Sequence, residues 1–245
     1  MNHLFEELYT TIWKQVFALQ PALDLAVAKE LFTKNLALPQ KHSSLAAKTP
    51  VYMSDEYGYN KFISQEETEK RSNTDNFMEK TIPIRSLPDV LAASGKIALF
   101  RASRAINSEI LEESDDIYSS SYIYNSTHIY NSQKLMYCYN TKTCEYLFAS
   151  KGSADSTFGI RIFDSGSVSN SFDVHWSGKC ANSYFCHDCY DLRDCMFCFH
   201  LTSKQYCIAN MQFTEEEYEK LKAMILTEYF AQLQSPKAFV LLNQL

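Results

Sequence analysis

Two cysteine pairs, Cys186-His187-Asp188-Cys189 and Cys195-Met196-Phe197-Cys198, have the residue types and spacing best suited to chemistry in this chain. Cys180 and Cys207 flank them, and His187 and His200 are close in sequence. A tetrahedral zinc site needs four such ligands, and CxxC pairs commonly supply two each. Zinc held by Cys186, Cys189, Cys195 and Cys198 is therefore one expectation. Against it, only five residues separate the pairs, where zinc ribbons and fingers leave a longer excursion. The competing reading makes these cysteines interior residues of stacked strands, because Cys is small and readily buried. Interior thiols are the favoured expectation and a zinc-stabilised binding module is the alternative.

The carboxylates Asp188, Asp191 and Asp194, with Arg193 among them, form a second candidate. Acidic pairs on an exposed strand face can cleave glycosidic bonds, so a carbohydrate-active enzyme on a β-helix trails as a further expectation. Three-residue spacing is also what corner residues would give. His128 and His175 sit in strand-like runs with no nucleophile elbow beside them. Gly152, Gly159, Gly166 and Gly178 match no phosphate-binding fingerprint. No catalytic residue is expected, and no cofactor other than the alternative zinc.

Tyrosines are the third candidate. Tyr118, Tyr122, Tyr124, Tyr130, Tyr137, Tyr139 and Tyr146 crowd one stretch. Strand alternation sends Tyr122 and Tyr124 to one face and Ile123 to the other. With Ile inward, an outward ladder including Tyr122, Tyr124 and Tyr130 offers a contact surface, since Tyr gives large area at low entropic cost. The other possibility is that N-terminal helices cover it.

Something repetitive must position these residues. Asn-Ser pairs recur at Asn107-Ser108, Asn125-Ser126, Asn131-Ser132, Asn170-Ser171 and Asn182-Ser183, with Asp155-Ser156 and Asp164-Ser165 as variants. Short apolar runs such as Leu135 to Tyr139 and Phe158 to Phe163 lie between. Turn residue, apolar run, turn residue, over about a hundred residues, reads as a right-handed parallel β-solenoid, placed at 107–210. Asx and Ser side chains suit its corners by bonding nearby backbone. Spacing is near six residues from Asn125 to Asn131 and less regular elsewhere, so individual coils are not assigned.

The flanks read as helical, giving a mainly β fold with helices at both ends. In an N-terminal arm, residues 1–39, Leu4, Leu8, Ile12 and Val16 fall on one helical line over 2–20, with Phe5, Tyr9, Trp13 and Phe17 beside it. The stripe docks on the protein's own core or receives a partner. Pro21 suits the first turn of a second helix running to about Leu36. Residues 40–106 read as an irregular connector with a short helix at Leu87 to Ala93. Thr214 and Glu217 form a capping box opening a helix to about Leu233, expected to cover the solenoid's C-terminal end. It belongs to a last segment, 211–245, whose apolar tail with Phe239 would pack back or add to a neighbour's sheet.

Composition bounds the rest. The 245 residues carry 46% hydrophobic and 21% charged side chains and a net charge of −6, an ordinary globular balance with no general attraction to phosphate backbones. No basic leader with an apolar core opens the chain, and no run nears the ~20 apolar residues of a membrane span. A cytoplasmic protein is expected, or a virion component if phage-encoded, where eight cysteines are thiols or metal ligands before they are disulfides.

From Val51 onward the chain resembles a family of uncharacterised Cys- and Tyr-rich proteins of uncultured bacteria and large phages. The likeness is closest in Cys195-Met-Phe-Cys-Phe-His-Leu-Thr-Ser-Lys-Gln-Tyr-Cys-Ile-Ala-Asn210 and in Phe213 to Leu221. Family members often open with a zinc-ribbon-like CxxC segment, whereas this chain has no cysteine before Cys138. The resemblance implies a solenoid and no reaction. The functional expectation is a non-enzymatic structural or adaptor protein, working through Phe5, Tyr9, Trp13, Phe17, Tyr122, Tyr124, Tyr130 and Phe239 on protein partners or further copies of itself, with neither membrane nor nucleic acid involved.

Overall fold

From Asn107 to Ala209 the backbone takes a left-handed φ at every third residue, Lys179 excepted. In a computed structural model describing residues 3–45, 47–54, 61–72 and 78–233, that rhythm builds a β-solenoid of about nine turns. In chain order come α1 (His3–Phe17), α2 (Leu25–Phe32), the strands β1 (Pro39–Ser43), β2 (Pro50–Ser54) and β3 (Phe62–Ser64), α3 (Gln65–Ser72), α4 (Leu87–Ile97) and β4 (Phe100–Ala102). The solenoid strands run from β5 (Ala105–Ile106) to β18 (Thr202–Ile208), followed by β19 (Met211–Gln212) and α5 (Glu215–Leu233).

One turn takes 12 residues, since Ser121 pairs in parallel with Gln133 and Gln133 with Glu145. Four left-handed residues therefore bend each turn four times. Most are not glycine, and some, such as Ile110 and Thr143, are β-branched. That conformation costs roughly 1–2 kcal/mol per residue, so ladder bonds to the turns on either side must offset it. Asn and Asp tolerate it best, which is why Asn fills so many bends.

The residue following each left-handed one points inward, and from Ser114 to Cys198 every such residue is buried. Ile123, Leu135 and Leu147 stack in register on one interior column. Serines have a different task. Ser120 Oγ donates to Tyr118 O at 2.7 Å and accepts from Ser132 N at 3.0 Å, one turn on. Each interior serine thus pairs backbone groups that would otherwise be buried without partners. The Asn-Ser pair is a bend residue followed by an interior stitch.

One outer face is apolar too. Tyr124, Met136, Phe148, Ile160, Phe172, Tyr184, Met196 and Ile208 recur at the turn period and are buried. α1 lies on this stripe: Phe5 meets Tyr124 at 5.0 Å, Tyr9 meets Phe148 at 5.3 Å and Phe17 meets Phe172 at 5.1 Å between ring centroids. Seven α1 residues are buried, a transfer contribution of roughly 10–20 kcal/mol as an upper bound. The arm is part of the core. α2 begins after Asp24, so Pro21 is not in its first turn. α5 also lies along the flank, Tyr229 against Phe185 at 4.8 Å and Phe230 against Trp13 at 5.0 Å. The expected C-terminal helix is present, starting beside the last turn with Tyr218 against Tyr206 at 5.8 Å and laying its later aromatic side chains on the flank. The Thr214–Glu217 capping box forms as expected, Glu217 N donating to Thr214 Oγ1 at 3.3 Å.

Side chains close the ends. The 40–106 segment is not an irregular connector. It holds the antiparallel β1–β2 hairpin, β3 paired in parallel with β4, and α3. α3 delivers Gln65 to Ala105, each of their two hydrogen bonds being 2.7 Å. At the far end Asn210 repeats the device on Phe199, at 2.9 and 3.0 Å. Lys204 takes an interior position of the last turn and is exposed, a charge that blunts the open end.

Candidate functional site

The solenoid interior explains the CxxC pairs. Three residues carry the chain from one inward position to the next, so Cys186 and Cys189 occupy adjacent sides of one turn, and Cys195 and Cys198 likewise. All eight cysteines fall on this inward register, all are free and all are buried. Each of the four donates to the carbonyl two residues back: Cys186 to Tyr184, Cys189 to His187, Cys195 to Arg193 and Cys198 to Met196, at 3.2–3.4 Å. Ser126 does the same toward Tyr124 O at 2.8 Å, so thiol and hydroxyl are alternative stitches. Burial pushes the Cys138 thiol up to about 12 and the Cys144 and Cys180 thiols to about 11. Cys186 and Cys189 are raised as well, each chiefly by burial. Among the described residues no group of three or more His, Cys, Asp or Glu side chains converges in a way that could hold a metal ion.

The three-residue spacing separates the carboxylates. Asp188, Asp191 and Asp194 are all left-handed bend residues, each on a different side of the turn. Asp188 lines a groove with Trp176, while Asp191 lines another with Arg193 and Lys204. His128 pairs with Asp116, and His175 sits 3.5 Å from Asp173 with its ring tilted against Phe163, 4.5 Å between centroids.

The aromatic candidates divide. Phe5, Tyr9, Trp13 and Phe17 are buried against the chain's own solenoid, and Tyr124 is buried beneath Phe5. As partner contacts these five are corrected: the four α1 residues cover an outer stripe of the same molecule, and Tyr124 belongs to that stripe. Tyr122 is half-buried, and Tyr130 stacks on Tyr118 at 5.2 Å, nearly parallel. Phe239 and the rest of the apolar tail lie outside the described residues.

Three features escaped the sequence reading. Arg161 is buried within the Phe158 to Phe163 run, bonding Asp173 Oδ1 at 2.9 Å and Phe32 O at 3.0 Å. A charge inside an apolar run was the available signal. A groove of about 600 Å³ opens beside Trp176, lined also by Asp173, His175, Phe185, His187 and Phe197. α4 has no buried residue, and Leu87, Leu91, Ser94 and Ala98 are all exposed.

No protein-family model, curated protein or solved structure matches this chain. The fold and these features therefore carry the functional reading.

Proposed function

We propose that this protein is a non-enzymatic structural or adaptor component that assembles with further copies of itself through α4. One observation supports the reading. Leu87 is 68% and Leu91 61% exposed, on a helix held to its own chain by Lys61 Nζ donating to Gly95 O. Leu87, Leu91, Ser94 and Ala98 follow one another at helical i, i+4 and i+3 steps, a single line along the surface. A second α4 laid antiparallel about a two-fold axis sets Leu91 of each copy against Ser94 of the other and Leu87 against Ala98. Large meets small along the whole line, the self-complementarity an isologous interface needs. Ile82 and Ile84, just before α4 in the chain, are exposed as well. The sequence resemblance to phage proteins would make a virion one such assembly.

Light scattering coupled to size exclusion tests this. A dimer or higher oligomer is expected, and Leu91→Glu should give a monomer with an unchanged circular dichroism spectrum. A monomeric parent protein across the micromolar range would remove α4 as a self-association surface.

A further inference from the structure

We infer that the groove beside Trp176 binds an organic cation with an apolar body, such as a quaternary or multiply methylated ammonium. The groove volume of about 600 Å³ lies within the range of small-molecule sites. Its floor is aromatic: Phe185 is buried and Phe197 stacks on it at 4.5 Å, nearly parallel. His175 and His187, in register on adjacent turns, form one wall. Trp176 lines the groove with 72% of its surface exposed.

Charge decides the ligand class. The lining carboxylates are Asp173, nearly buried and held by Arg161 from behind, and Asp188, 54% exposed beside His200. Among the described residues lining the groove there is no lysine or arginine. An anion would meet the exposed Asp188 carboxylate, while the Arg161 guanidinium is already paired with Asp173. A bare metal ion would find no convergent ligand set among the described residues. A methylated ammonium is weakly hydrated, and it gains from the faces of Trp and other rings and from a nearby carboxylate. Aromatic walls beside the exposed Asp188 carboxylate suit that species. This inference is independent of the α4 reading.

The test uses tryptophan fluorescence, because the chain has two tryptophans and the other, Trp13, is fully buried. Choline is the probe. Its neutral carbon isostere, a tert-butyl group replacing trimethylammonium, and glucose are the comparisons. Saturable binding of choline is expected, about tenfold tighter than its isostere. Trp176→Ala, read by calorimetry, should weaken choline by a similar factor, and Trp176→Phe should recover part of it. Equal binding of choline and isostere, tighter binding of glucose, or no saturation with choline would each overturn the assignment.

Discussion

Gln65 supplies Ala105 with both halves of a missing peptide group. Its Oε1 accepts the Ala105 N–H and its Nε2 donates to the Ala105 carbonyl, both at 2.7 Å. In the turns that follow, those bonds come from the backbone one turn away, as when Ile117 N donates to Arg104 O at 3.1 Å. Gln65→Glu keeps the size and the acceptor but turns a second acceptor toward the Ala105 carbonyl. The expected loss is about 1–3 kcal/mol, read as a lowered urea midpoint, with faster amide exchange confined to the first turns. An unchanged midpoint would mean that the first turn needs no such closure.

Arg161 joins three elements: its own strand, Asp173 one turn on, and the last carbonyl of α2 at Phe32. Its charge also suits a helix C-terminus. Arg161→Met should cost about 3–5 kcal/mol because it strips a buried carboxylate of its counter-charge. Arg161→Met combined with Asp173→Leu should recover most of that loss in urea unfolding. A double variant no more stable than the single would show that α2 anchoring, not charge compensation, dominates.

The interior thiols set an alkaline limit. Their ordinary value is 9.0, and burial raises Cys138 to about 12 and Cys144 and Cys180 to about 11. Folding thus keeps protons that the unfolded chain would release above pH 9. Their contribution is whole below the unfolded value and is lost as pH rises through the folded ones. Stability measured from pH 8 to 11 should fall, and Cys144→Ser should flatten the slope. At pH 7 that variant should cost less than about 1 kcal/mol, since Ser132 and Ser156 hold the same site one turn either side. A slope indifferent to Cys144→Ser would take Cys144 out of the alkaline loss.

Buried thiols bonded to carbonyls should be slow to react and should need no metal. A thiol-specific reagent at pH 8 should label no cysteine rapidly in the native state and all eight after denaturation. Dialysis against a chelator should leave the melting temperature unchanged. Stoichiometric zinc, removed together with the fold, would restore the tetrahedral reading of Cys186, Cys189, Cys195 and Cys198.

The solenoid was legible because bend and interior residues are chemically distinct where Asn precedes Ser. The turn length was not read, because the bend also accepts Ile110, Tyr122, His128 and Phe158, which obey no local preference. The underlying signal was the common three-residue register of Ser, Cys, Ile and Leu. The α1 stripe was visible as amphipathic, yet its destination was not. Phe148 and Phe172 fall 24 residues apart, two whole turns, and only the turn length aligns them under one helix. The Trp176 groove was missed for the same reason, since His175 and His187 become neighbours only through stacking. The Thr214–Glu217 box, being local, was read correctly.

A scaffold that counts in threes constrains how such a chain can change length. Removing Gln133 to Cys144 would join Ser132 to Glu145, which stands in Gln133's place one turn on, and every later side chain would keep its orientation. Removing a single residue would rotate the downstream interior outward, thiols first. Growth and shrinkage by whole turns are thus the only silent edits, and the span of the apolar flank beneath α1 and α5 fixes how many turns the helices can shelter.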